Sequence, residues 1–200
     1  MCVTLVCYSV LLLLNRVDLG IRYALPLFPL AALCAADAIG ALNLRPVTLA
    51  GIAIAAVALQ ATTSARIAPH YLSYFNRFGG GPDNGYRYLG DSNIDWGQDL
   101  PALAGQIAQL GGPRVCLAYF GRARPEIYGV NAADWRDPGA CQGAQWLALS
   151  VTYLQGSYVD NDPFRELLHE TPDRKAGFSI FLYRMDRPIV VTALERAHAS

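Results

Sequence analysis

The chain has 200 residues, of which 53% are hydrophobic and 16% charged, against about 25% charged in an average globular domain. Acidic and basic residues balance at 16 each, so the chain has neither the polar composition of a disordered segment nor the basic field of a nucleic-acid binder. The charges are unevenly placed: residues 1–65 hold five of them, Arg16, Asp18, Arg22, Asp37 and Arg45, and the rest of the chain holds 27. That split argues against a uniformly soluble globule.

Residues 1–14 are apolar but short for a crossing, and they lack the basic start and small-residue cleavage site of a signal peptide. They read as the end of a helix that begins upstream, so the expectation is the carboxy-terminal part of a longer membrane protein. Residues 23–42 (20 residues, one charge) and 47–65 (19 residues, none) each have the length of a membrane crossing, which takes roughly 20 mainly apolar residues. The expectation is therefore a transmembrane region over 1–65 with two to three helices, at about 1–14, 23–42 and 47–65. Counting crossings puts residues 66–200 on the same side as Arg16 and Arg22. The positive-inside balance is small and leans toward the cytoplasm for that side. Pro26 and Pro29 fall in the first turns of the 23–42 helix, where a missing amide costs little. Arg22 thus sits beside a helix amino end. A cation there suits an anion, and it equally suits an arginine reaching toward headgroups. Asp37 is an intramembrane acid by position.

Residues 66–85 form a connector rich in aromatics (His70, Tyr71, Tyr74, Phe75, Phe78), ending in the flexible run Gly79-Gly80-Gly81-Pro82-Asp83-Asn84-Gly85. From residue 86 the pattern predicts a soluble α/β domain to residue 200. A strand is expected over 86–90. A helix follows over 100–110, with Leu100, Leu103, Ala104, Ile107 and Leu110 at helical spacing. Strands are expected over 114–120, 145–151 and 178–183, a short helix over 164–169 and an edge segment over 188–193. The first three elements read as a strand–helix–strand unit with a parallel crossover.

In parallel sheets, ligands bind at the carboxyl ends of strands. The densest polar segment, Asp91-Ser92-Asn93-Ile94-Asp95-Trp96-Gly97-Gln98-Asp99, follows the first expected strand. Arg122, Glu126 and Tyr128 follow the second. Asp91, Asn93, Asp95, Trp96, Gln98, Asp99, Arg122, Glu126 and Tyr128 are therefore the candidate ligand-loop residues, with helix capping and turn formation as the alternative use of the same side chains. Asp91, Asn93 and Asp95 match the first ligands of an EF-hand, but Trp96 stands where glycine is needed and Ala102 where glutamate is needed. A metal is therefore not favoured, and no other cofactor is expected. Cys116 and Cys141 are the two cysteines of the soluble part. In an outside-facing domain they are candidates for a disulfide.

Five runs carry a family resemblance. Gly20-Ile21-Arg22-Tyr23-Ala24-Leu25-Pro26-Leu27-Phe28-Pro29 resembles the Arg/Lys-Tyr-x-x-Pro-x-x-Pro segment of bacterial polyprenyl-phosphate-dependent glycosyltransferases of the GT-C fold, related to protein O-mannosyltransferases and the lipid A aminoarabinose transferase. His70-Tyr71-Leu72-Ser73-Tyr74-Phe75-Asn76 and the stretch from Gly80 to Leu100 resemble the segment after the last crossing in that family. Tyr119-Phe120-Gly121 and Pro125-Glu126-Ile127-Tyr128-Gly129 fit the same pattern, and the likeness covers roughly residues 15–130. It implies a multi-pass enzyme of the bacterial inner (cytoplasmic) membrane with its carboxy-terminal domain extracytoplasmic. It implies a polyprenyl-phosphate sugar donor whose phosphate Arg22 would bind, an extracytoplasmic acceptor, contact with membrane lipid, and an amino-terminal membrane region preceding this chain. No position here matches the family's catalytic acid, so no catalytic residue is assigned. The alternative is a non-catalytic, membrane-anchored periplasmic binding or scaffold domain. Neither reading involves nucleic acid.

Overall fold

The computed structural model describes residues 2–14 and 23–199, with Cys2 and Arg77 described by their backbone alone. The chain forms two compact units, Met1–Pro69 and His70–Ser200.

The first unit holds helices α1 (Cys2–Leu14), α2 (Leu27–Ala41) and α3 (Pro46–Ile67). Pro46 opens α3 at a position where its missing amide leaves no bond unmade, and Arg66 lies in the last turn, where a cation complements the helix dipole. At 22 residues α3 is about 33 Å long, enough for a hydrocarbon core of about 30 Å. Among the described residues it is the one helix both long and apolar enough to cross a membrane. The expectation of two to three such helices is therefore not supported. α2 has 15 residues, not 20, because the chain enters it through a short 3₁₀ turn and Pro26. It leaves through Asn43 in the left-handed region (φ 49°). No side chain of α2 is buried, and on α3 only Ile67 is.

The second unit is a five-stranded mixed sheet in the order β2-β1-β3-β5-β4. Its strands are β1 (Val115–Ala118), β2 (Ala133–Asp134), β3 (Trp146–Ser150), β4 (Arg174–Ala176) and β5 (Ile180–Arg184). β1 runs parallel to β2 and β3, and β5 runs antiparallel to β3 and β4. Both faces are covered, so the central strands read as continuous apolar runs. Val115, Leu117, Ala148, Ile180 and Leu182 pack under α4 (Leu100–Gln109) through Leu100 and Leu103. Cys116, Ala118, Leu147, Leu149, Phe181 and Tyr183 face the other way. They pack against Ile94, Trp135, Phe164 and Leu167, against the short α5 (Val151–Leu154), and against α6 (Pro188–Ala199). Cys116 and Cys141 are joined by a disulfide in this second layer, with Cα atoms 5.1 Å apart.

Three expectations are corrected. Residues 86–90 are not a strand: Gly85–Arg87 is a 3₁₀ turn, and the Gln155 amide takes the Tyr86 and Leu89 carbonyls that a ladder would use. α4 therefore has no strand before it. The parallel pairs are not the predicted strand–helix–strand unit, since the segment between β1 and β2 carries only the 3₁₀ turn Pro125–Tyr128. Residues 188–193 are not a sheet edge but the start of α6, whose Val190, Ala193, Leu194 and Ala197 recur at helical spacing and are buried. β4, unforeseen, supplies the edge beside β5.

Candidate functional site

The carboxyl ends of the parallel strands β1 and β3 open on one edge of the sheet, and the 91–99 segment is drawn to that edge by its own carboxylates. Asp95 is fully buried. Its Oδ1 accepts the Gly97 amide at 2.9 Å, and its Oδ2 accepts the Thr152 hydroxyl at 3.1 Å, just past the end of β3. Burial pushes its carboxyl up from 3.8 to about 6, and bonds from Gly97, Thr152 and Ser150 hold it back from rising further. Beside it the Tyr119 hydroxyl donates to the Gly97 carbonyl at 2.9 Å. Burial first, then the nearby Asp95 and Tyr128, lift that phenol to about 12, so it stays neutral. Gly97 has φ +75°, and a Cβ there would lie 2.1 Å from the Tyr119 hydroxyl. The turn and the phenol thus require glycine at this position.

Asp99 is the second anchor and is also buried. Its Oδ1 lies 2.8 Å from His70 Nδ1. Its Oδ2 accepts the Phe178 and Ser179 amides at 3.0 Å each and the Ser179 hydroxyl at 2.9 Å. One carboxylate at the start of α4 thereby ties the connector to the β4–β5 hairpin. Gly177 (φ +59°) lets the hairpin approach, because a Cβ there would sit 2.2 Å from the Asp99 carboxyl carbon.

The other members of the segment are used locally. Asp91 takes a left-handed backbone (φ 46°), and its carbonyl accepts the Ile94 and Asp95 amides. Asn93 Nδ2 donates to the Gly90 carbonyl. Gln98 accepts the Trp96 amide at 2.8 Å and donates to the Ile94 carbonyl at 2.7 Å. The Trp96 indole donates to the Ser92 carbonyl while its ring stays 60% exposed. The polar run is thus folded on itself, and the Trp96 face is its main outward feature.

Of the second predicted loop, Arg122, Glu126 and Tyr128 are exposed, and Glu126 pairs loosely with Arg124 at 3.9 Å. Glu126 lines a hollow of about 250 Å³ at the carboxyl ends of β1 and β2, with Tyr119, Gly121, Asp134 and Arg136. Arg122 and Tyr128 are not among its lining residues. A larger hollow of about 660 Å³ lies at the opposite ends of the same strands, where Arg114 is the one charged lining residue. The smaller hollow, with two carboxylates, a guanidinium and a phenol, has the polar convergence expected of a ligand site. Its Arg136 also donates to the Tyr153 hydroxyl at 3.0 Å and lies over the Trp135 ring. Asp134 and Arg136 escaped sequence reading because β2 is two residues long and leaves no periodic signal, while Tyr119 reads from the sequence as part of the strand over 114–120 and of a resembling run, not as a site residue. Arg22, the expected phosphate ligand, lies outside the described residues. Among the described residues, no three His, Cys, Asp or Glu side chains are grouped to hold a metal.

No family model matches the chain, and neither a curated protein nor a solved structure shows significant similarity to it.

Proposed function

We propose that the chain is the carboxy-terminal portion of an integral membrane glycosyltransferase that moves a sugar from a polyprenyl-phosphate donor to an extracytoplasmic acceptor. The observation that carries this reading is the order of features along one chain. An apolar helix of membrane length with nearly every side chain uncovered leads directly into the resembling run from residue 70 to Leu100. That run ends in a disulfide-bonded α/β unit, as suits an oxidising compartment. The shorter α1 and α2 belong to the same membrane region in this reading, and their uncovered apolar side chains call for lipid or further helices. Arg22 meets the donor phosphate, and the α/β unit supports that region or binds the acceptor, with the Glu126 hollow as its contact.

Transfer by the full-length protein tests the Arg22 role. Arg22→Ala is expected to lower kcat/KM roughly 10- to 150-fold, the loss of a charge-assisted bond of about 1.5–3 kcal/mol. Unchanged transfer would remove Arg22 from the donor site.

A second reading, an anchored binding or scaffold domain without catalysis, is favoured by one observation: Asp95 and Asp99 are spent on internal bonds. Sugar transfer by the 200-residue chain itself would exclude it.

A further inference from the structure

We infer that the layer formed by residues 70–96 is a lipid-docking surface that rests on the headgroup region of the bilayer; this rests on reading α3 as a membrane-spanning helix.

The large apolar side chains of the second unit are not exposed at random. Among its described residues, six that are exposed fall in this one layer: Tyr71 (60%), Leu72, Tyr74, Phe78 (101%), Tyr88 and Trp96. The whole remainder of the unit contributes Ile127, Tyr128 and Tyr158. Nor is the layer a loose tail. His70 is held by Asp99, the Ser73 hydroxyl donates to the Ile94 carbonyl at 3.2 Å, and Gln155 holds the carbonyls of Tyr86 and Leu89. Phe75 packs so closely on Gly85 that a Cβ there would lie 2.2 Å from its ring. The segment is anchored to the unit, and its exposed large apolar side chains are mostly aromatic.

Chain length keeps the start of this segment close to the membrane. α3 ends at Ile67, four residues before Tyr71. Four residues reach at most about 14 Å. The polar zone on each side of the hydrocarbon core is about 5–8 Å deep, so Tyr71 starts within or just beyond it. Tyrosine and tryptophan are the side chains that favour this zone, having an apolar ring and one polar atom. Phe78 has no polar atom at all and gains from no water-facing position. An aromatic-rich layer joined this closely to an apolar helix fits lipid rather than water.

The test uses the full chain in phosphatidylcholine vesicles, with Cys2, Cys7 and Cys34 replaced by alanine and the disulfide left intact. Single spin labels are attached through Tyr71→Cys and Phe78→Cys. Ile127→Cys and Tyr158→Cys serve as exposed controls, and Ile54→Cys reports on α3. All are exposed positions, so the fold should tolerate the label. Relaxation by oxygen, which partitions into lipid, is compared with relaxation by a water-soluble nickel chelate. The expected result is a several-fold lower nickel-to-oxygen ratio at Tyr71 and Phe78 than at the two controls, with Ile54 lowest. If Ile54 reports hydrocarbon but either layer label matches the controls, the docking inference is wrong and the membrane reading stands. If Ile54 is open to nickel, both fall. Labels at Tyr71 and Phe78 shielded from both reagents would mean that protein covers the layer, which also overturns lipid docking.

Discussion

Asp95 and Asp99 stand four residues apart in the same run and do different work. Asp99 accepts three bonds from the hairpin and meets His70, so its carboxylate has a full set of partners. Asp95 has fewer, and burial leaves its proton favoured up to about pH 6. The native state therefore binds that proton more tightly than the unfolded chain, whose carboxyl releases it near 3.8. This contribution to stability is full below about pH 4 and is lost as pH rises to about 6, a change of roughly 3 kcal/mol. Asp95→Asn should flatten the pH dependence of the thermal midpoint across that window, and parallel profiles in variant and parent would show that Asp95 does not set it. The sequence marked both residues as candidates because carboxylates cluster there. It could not separate a ligand carboxylate from an anchor, because the partners lie 57 and 80 residues away at Thr152 and Ser179.

Among the elements, α4, β1, β3 and β5 were legible because each is a run whose apolar spacing matches its period. β4 was not, because Arg174, Lys175 and Ala176 carry no apolar pattern, and only pairing to β5 makes them a strand. α6 was misread because Val190, Val191 and Thr192 are β-branched, a preference that burial of Ala193, Leu194 and Ala197 overrides. The disulfide joins β1 to the loop ahead of β3 across 25 residues. Closing a loop of that length should stabilise the folded unit by about 3–4 kcal/mol. Cys116→Ser, read by denaturant unfolding against the parent, should lose an amount of that order. An unchanged midpoint would mean the covered core suffices without the bond.

For the whole molecule, the proposed membrane topology makes one demand: residues 70–200 face away from the cytoplasm. A phosphatase reporter that is active only outside the cytoplasm, joined to the carboxy terminus in a bacterial host, should be active. Activity of a cytoplasm-only reporter instead would reverse the topology and leave the disulfide without its compartment. Sequence alone decided the division into an apolar first part and an α/β second part, because charge density and hydropathy are summed over many residues and survive local error. It also singled out the 91–99 run, since polar residues concentrated between apolar elements need no partners to be seen. Tertiary structure alone decided which strands pair, that the sheet is mixed, and that the polar run turns inward. Each of those depends on contacts between residues far apart in the chain, such as Asp99 with Ser179, and no local pattern encodes a partner.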